Sequence, residues 1–231
     1  MATECLKPFR GKVMRVTKLD ACGAPVEGTT SIVVSDGFVS IEQRAVYRDP
    51  DEYEVVNANG ALCLNERSQA QLKWIELTIN LCSVDPQMIN IMTGSPLVLD
   101  DTPVTPNTVG FRTRESVAGY FALEAWTDLG GQPCSGGVTK YGYILLPFVV
   151  DGVVGDITIE NGPVSFSVTQ ARTRNNSPWG TGPHNVRIEQ DGTPADAPLL
   201  TAISATDHRH IQMTTLAPPV SACGASELTI P

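Results

Sequence analysis

Histidines, cysteines and paired carboxylates are the residues of this chain that could do chemistry, and none is grouped as a reaction needs. The densest cluster is Asp207-His208-Arg209-His210. Residues two apart on a strand share a face, so both imidazoles could approach one metal ion, but no further Cys or carboxylate stands at ligand spacing. We read these histidines as surface groups. The third, His184, lies in a Gly-Pro turn, in neither a Ser-His-Asp nor a Cys-His setting. Asp100-Asp101 and the pair Asp151/Asp156 are candidates for acid–base work or calcium. No D-x-D-x-D-G loop surrounds them, and turn carboxylates commonly cap backbone N–H groups. Gly130-Gly131 and Gly136-Gly137 flank Cys134, without the Lys-Ser/Thr of a phosphate cradle. We assign no catalytic residue, no cofactor and no metal ligand, and expect a protein that is not an enzyme.

The six cysteines are Cys5, Cys22, Cys63, Cys82, Cys134 and Cys223. They form no C-x-x-C pair, which sets the zinc-ribbon reading aside. The start at Met1 shows no basic stretch followed by an apolar one, so we expect folding in a cytoplasm. There the thiols are expected to be reduced and to serve as small buried hydrophobes. The 231 residues carry a net charge of −9, which disfavours a surface that grips nucleic acid. With 42% hydrophobic residues the chain can bury a core, and no apolar run reaches the eighteen residues of a membrane helix.

The elements that must position these residues are mostly strands. Twenty glycines and 17 prolines punctuate the chain at short intervals. Between them Lys12–Leu19 sets Val13, Arg15 and Thr17 against Met14, Val16 and Lys18. Ser31–Ile41 reads as strand around an Asp36-Gly37 turn. Lys73–Leu81 alternates most clearly, with Ile75, Leu77, Ile79 and Leu81 on one face. Tyr120–Trp126, Tyr141–Val150, Val153–Glu160 and Val164–Ala171 come after it, with Asp151-Gly152 as a hairpin turn and Asn161-Gly162-Pro163 as a break. One helix is predicted, over about residues 86–93. Asp85 caps it, Pro86 opens it, Met88, Ile89, Ile91 and Met92 form its apolar face, and Gly94 ends it. The expected fold is an all-β sandwich or barrel with one short packed helix.

Three segments depart from this pattern. Residues 42–71 are polar and charged, as in a long loop or extended hairpin. The run 175–183 is turn-rich around Trp179, which needs another surface to cover it, from a neighbouring subunit or from its own domain. Residues 191–231 are rich in Pro, Ala and Thr and read as a C-terminal arm that orders on a partner or adds a strand to one. The division is therefore a β domain over 1–190 and an arm over 191–231.

The order of segments carries a likeness. MATECLKPFRGKVMRVTKLDACGAPV is followed by a valine strand and Asp36-Gly37-Phe38-Val39. VNANGALCLNE (Val56–Glu66) and LKWIELTINLCSVDPQMINIMTG (Leu72–Gly94) come next. FALEAWTDL (Phe121–Leu129), YGYILLPFVVDG (Tyr141–Gly152) and WGTGPHNV (Trp179–Val186) complete the series. Over roughly residues 1–190 this resembles the major tail tube proteins of long-tailed bacteriophages, particularly those infecting actinobacteria. The resemblance implies a sandwich or barrel-like tube domain with a flanking helix. It also implies rings, commonly hexameric, that stack into a hollow tube for genome passage. Many such proteins add an immunoglobulin-like domain, for which the segment after Gln190 is too short.

The same resemblance implies a virion tail protein made in a host cytoplasm. Its partners would be copies of itself, other tail proteins at the tube ends, and genomic DNA sliding through the lumen without specific binding. Like charge on the rings would repel phosphates. The candidate assembly surfaces are Arg44, Arg48, Asp49, Asp51 and Glu52 in the excursion, Trp179, and Ile211 and Met213 in the arm. The competing expectation is a monomeric β-sandwich binding module, such as an adhesin or a virion decoration protein.

Overall fold

The computed structural model describes residues 5–230 except 116–117, 132–137, 158, 160, 162–163 and 191–194. The strands in its first part are β1 (Pro8–Lys18), β2 (Gly28–Ser35), β3 (Phe38–Tyr47), β4 (Glu52–Val56), β5 (Leu62–Arg67) and β6 (Leu72–Leu81). Then come α1 (Pro86–Thr93), β7 (Leu97–Leu99), β8 (Thr108–Phe111), β9 (Tyr120–Leu129), β10 (Tyr141–Val150) and β11 (Val153–Val154). β12 (Phe166–Thr173), β13 (Arg187–Ile188), β14 (Asp196–Ala197), β15 (His210–Thr214) and β16 (Ser226–Leu228) complete the chain. The protein is mostly β, and the described residues form one short helix, one large antiparallel sheet and three small hairpins.

The large sheet runs β16-β2-β1-β9-β10-β12-β6-β3, with β11 beside β12 and β15 beside β10. It does not close into a barrel, but it must curl. β2 and β3 lie six strands apart in that order, roughly 29 Å if the sheet were flat. Only Asp36 and Gly37 join them, and that link spans at most about 11 Å. The two ends therefore approach each other at this corner, where Phe38 of β3 comes so close to Gly11 of β1 that a Cβ there would meet its ring at 2.8 Å.

Curling gives the central strands two buried faces. On the concave side Met14, Val16, Ile75, Leu77, Ile79, Leu81, Phe121 and Leu123 enclose Met88, Ile89, Ile91 and Met92 of α1. The helix is held as its sequence dictates. Asp85 accepts from the Gln87 N–H at 2.8 Å, and Gly94 ends the helix at φ 74° while its N–H donates to the Asn90 carbonyl. On the convex side Val13, Ala122, Trp126, Tyr143, Leu145 and Phe148 are covered by Trp179, Val186, Leu199 and Ile203.

Three sequence expectations change here. The Asp151-Gly152 pair is not a hairpin turn. The end of β10 and β11 pair in succession along the same neighbour, Val150 opposite Arg172 and Val153 opposite Thr169. The pair is a kink in one strand line, with Asp151 at φ 63°. Gly152 is needed because a Cβ would meet the Met92 carbonyl at 2.7 Å. The described cysteines are not buried hydrophobes: Cys5, Cys22, Cys63, Cys82 and Cys223 are free and exposed, while Cys134 lies outside the described residues.

The C-terminal segment is the third change. β15 pairs with β10 from Tyr141↔Thr214 to Leu145↔His210, and β16 pairs with β2. The Gly224 N–H donates to Asp85 at 2.6 Å, the Ala225 N–H donates to the Gln87 side chain, and Leu199 and Ile203 are buried. β15 and β16 thus belong to the same sheet as the strands before residue 190.

The helix face generates a stability test. Ile91 is buried against the sheet. Ile91→Val should cost about 1 kcal/mol, lowering Tm by about 3 °C. Ile91→Asp, which buries a charge without a partner, should yield no soluble folded protein. Thermal melts of both variants check this, and an unchanged Tm for either would contradict the packing.

Candidate assembly surface

The only buried ionic group among the described residues lies on the convex face, at the centre of the sheet. Arg15 from β1 donates to Glu124 from β9 through Nε and Nη2 at 2.5 and 2.6 Å, a bidentate pair with both side chains nearly sealed from solvent. Tyr143 of β10 adds its hydroxyl to Glu124 at 2.7 Å, and the Arg15 guanidinium lies 5.0 Å over the Trp126 ring. His184, from the covering segment, meets Thr17 at 2.9 Å and Glu124 at 3.8 Å. Alternation explains the first members: Arg15 and Thr17 share the face of Val13, and Glu124 that of Ala122 and Trp126.

Threonine, histidine and carboxylate invite comparison with a nucleophilic triad. The geometry does not fit one. Both Thr17 and Glu124 approach His184 at Nε2, so the carboxylate does not orient the ring from its other nitrogen. Burial pushes the His184 imidazole down to about 4; Glu124 opposes this and Arg15 adds to it. Burial also presses the Glu124 carboxyl upward, but the Arg15 charge and the hydrogen bonds from Arg15 and Tyr143 outweigh it and hold the group ionised. The Tyr143 hydroxyl is pushed well above its ordinary range by burial and by Glu124. The group is a polar clamp that fixes the covering segment to the sheet.

The other residues with chemical potential are also engaged structurally. His208 is buried rather than on the surface, 2.7 Å from the Thr173 hydroxyl, which itself accepts from the Ile75 N–H. Asp100 accepts from the Thr102 N–H, the Asn107 N–H and the Asn107 side chain, and Asp151 pairs with Arg172 at 2.7 Å. An open cleft of about 470 Å³ at the N-terminus of α1 is lined by Asp36, Asp85, Gln87, Asn107 and Cys223. The chain itself already occupies its best acceptors, because Asp85 and Gln87 receive the N–H groups of Gly224 and Ala225. Among the described residues no group of three or more His, Cys, Asp or Glu side chains could hold a metal ion.

The surface offers something different. β4 and β5 form a hairpin separate from the large sheet, and every residue from 51 to 73 is exposed. Its base is fixed by Arg48 N–H to the Gln71 carbonyl at 2.8 Å and Ser68 N–H to the Asp51 carbonyl at 2.9 Å. At its tip Asn57 Oδ1 accepts from the N–H groups of Asn59 and Ala61, and Gly60 takes φ 77°. Ion pairs Arg48–Asp51 and Arg67–Glu52 dress the base, but exposed pairs such as these contribute little stability. Towards the tip the hairpin is apolar. Val55 stands opposite Leu64, and Tyr53, Val56 and Leu62 are each more than half exposed. A lone two-stranded ribbon is marginal in water, and none of the described residues covers these side chains.

The sequence-assigned surface residues are placed unevenly. Arg48, Asp49, Asp51 and Glu52 lie in or beside the base of the hairpin, and Arg44 lies on β3, paired with Glu76 at 2.5 Å. Ile211 is 45% exposed on β15 and Met213 is half-buried. Trp179 is corrected: it is buried in its own domain, 6.3 Å from the His184 ring, because the covering segment folds it inward onto the sheet. Sequence reasoning missed Tyr53, Val55, Leu62 and Leu64. Their alternation in EYEVV and LCL was the available signal, masked by the charges between them. No protein-family model and no curated protein matches this sequence.

The clamp generates a pH test. His184 takes up its proton near 6.5 when unfolded and near 4 when folded. The folded state therefore binds fewer protons between those values. The contribution is whole above about pH 6.5 and is lost as pH falls through about 4, on the order of 3 kcal/mol in all. Melts from pH 7 to pH 4.5 should show a falling Tm, and His184→Gln should flatten that fall. An equal slope in the variant would mean that His184 does not set it.

Proposed function

We propose that this chain is a structural subunit that assembles with copies of itself into stacked rings, forming the tail tube of a long-tailed bacteriophage. The observation that carries the reading is the β4–β5 hairpin, a projecting ribbon whose apolar residues have no cover among the described residues. Apolar groups held out in this way are characteristic of a surface that another molecule buries. The resemblance of residues 1–190 to tail tube proteins supports the same reading, and the hairpin lies in the excursion where that family carries its stacking loop. A curled sheet with a helix against its concave face is compatible with the family's sandwich or barrel-like tube domain. The excess of negative charge suits a channel through which DNA passes without sticking. No catalytic step is part of this function, and no cofactor is required.

A clean test removes the hairpin while preserving the sheet. β3 and β6 are antiparallel neighbours with Tyr47 opposite Leu72, so replacing residues 49–69 by Asn-Gly should join them in a short hairpin. We expect a soluble β protein with a Tm within a few degrees of the parent that forms neither rings nor tubes in negative-stain electron microscopy. Unchanged tubes would overturn the role given to the hairpin. A parent chain that stays monomeric at every concentration would favour the binding-module reading.

A further inference from the structure

A ring or stack grows only through contacts between two different patches of the same chain, since a patch that pairs with itself stops at a dimer. The hairpin of β4 and β5 therefore needs a counter-surface elsewhere on a second copy. Self-pairing is disfavoured by charge as well: its strands carry Glu52, Glu54 and Glu66 against Arg67 alone.

The hairpin of β7 and β8 has the complementary features. Leu99 and Val109 are more than half exposed, and Val104, at the tip of the connecting loop, is 97% exposed. Val104 is also held at φ 75°, a conformation that β-branched residues avoid. The loop around it is closed by Asp100, which accepts from Thr102 and twice from Asn107, and whose own N–H donates to the Asn107 carbonyl at 3.0 Å. Pro103 and Pro106 flank the valine. The ribbon rests on α1 through Gln87, which donates to the Thr108 hydroxyl at 3.2 Å, and its base is closed by Arg112 N–H to the Pro96 carbonyl at 2.8 Å. These hydrogen bonds hold the apolar knob out at the end of the ribbon.

The charges match in order along the two ribbons. Glu54 and Glu66 of the β4–β5 ribbon, which have no ion-pair partner among the described residues, would face Arg112 and Arg114 beyond β8, while Asp100 is taken up in closing its own loop. We propose that the Val104 knob and its neighbours Leu99 and Val109 form the docking surface for the β4–β5 hairpin of a second copy. This rests on the self-assembly reading above.

Cys63 of β5 supplies a native probe. In full-length protein with the other five cysteines replaced by serine, Val104→Cys should form a 63–104 disulfide under mild oxidation. Mixing ¹⁴N- and ¹⁵N-labelled chains should give mixed-isotope linked peptides by mass spectrometry. Separately, Val104→Asp should keep the parent Tm and raise the concentration needed for assembly by about tenfold or more. Oligomers without mixed-isotope links, links within one copy only, or an unchanged threshold for Val104→Asp would overturn this pairing and leave self-assembly standing. Protein that stays monomeric throughout would overturn both.

Discussion

The fold turns on an ion pair placed where a hydrophobic contact would normally sit. Arg15 and Glu124 face outward from the middle of the sheet, on strands whose other faces already enclose the helix. Left in water the pair would contribute little, and β1, β9 and β10 would have one wet face. Once Trp179, Val186, Leu199 and Ile203 lie across that face, each charge depends wholly on the other, because a single buried charge is strongly destabilising. The pair therefore adds little to total stability, while its sealed position depends on the covering segment. Thr17, Tyr143 and His184 fill the remaining hydrogen-bonding positions, and Trp126 and Trp179 seal the rim. A two-sided sheet of this kind has one core built by local pattern and another built by a distant part of the chain.

That difference explains what could be read from the residues. The helix was legible to the residue, since Asp85, Pro86 and Gly94 mark its ends by local chemistry. β6 and β10 were legible from alternation and apolar content. The second core was not. Leu199, Ile203 and Trp179 lie in stretches broken by Pro and Gly, and irregular backbone leaves no period to detect. Leu199 and Ile203 stood in what looked like a free arm, because its apolar residues are too sparse to form a core alone and bury area only against the sheet. Asp151-Gly152 misled for another reason: the glycine answers to the Met92 carbonyl beneath it, a tertiary contact that imitates a turn signal.

For the candidate surface the charges were visible and the decisive apolar groups were not. Arg48, Asp49, Asp51 and Glu52 stood out because charge needs no context to be noticed. Tyr53, Val55 and Leu64 resemble ordinary half-buried strand residues until the chain is folded and leaves them uncovered. Exposure of an apolar side chain is a property of the whole arrangement. Val104 shows this most plainly, as a single valine between prolines whose position is fixed by an aspartate four residues earlier.

The pairing of β16 with β2 has a kinetic side. Ser226 lies opposite Ile32, and the cover over Val13 and Trp126 comes from residues beyond 174. Contacts this distant along the chain form slowly, since a long loop must close before they reward it. While the chain is being made, α1 and the concave core can assemble from residues that have already emerged, whereas the convex face stays wet until the last strands arrive. An unfinished chain thus carries an open apolar sheet as well as two projecting ribbons, and is at its most adhesive before it is correctly shaped.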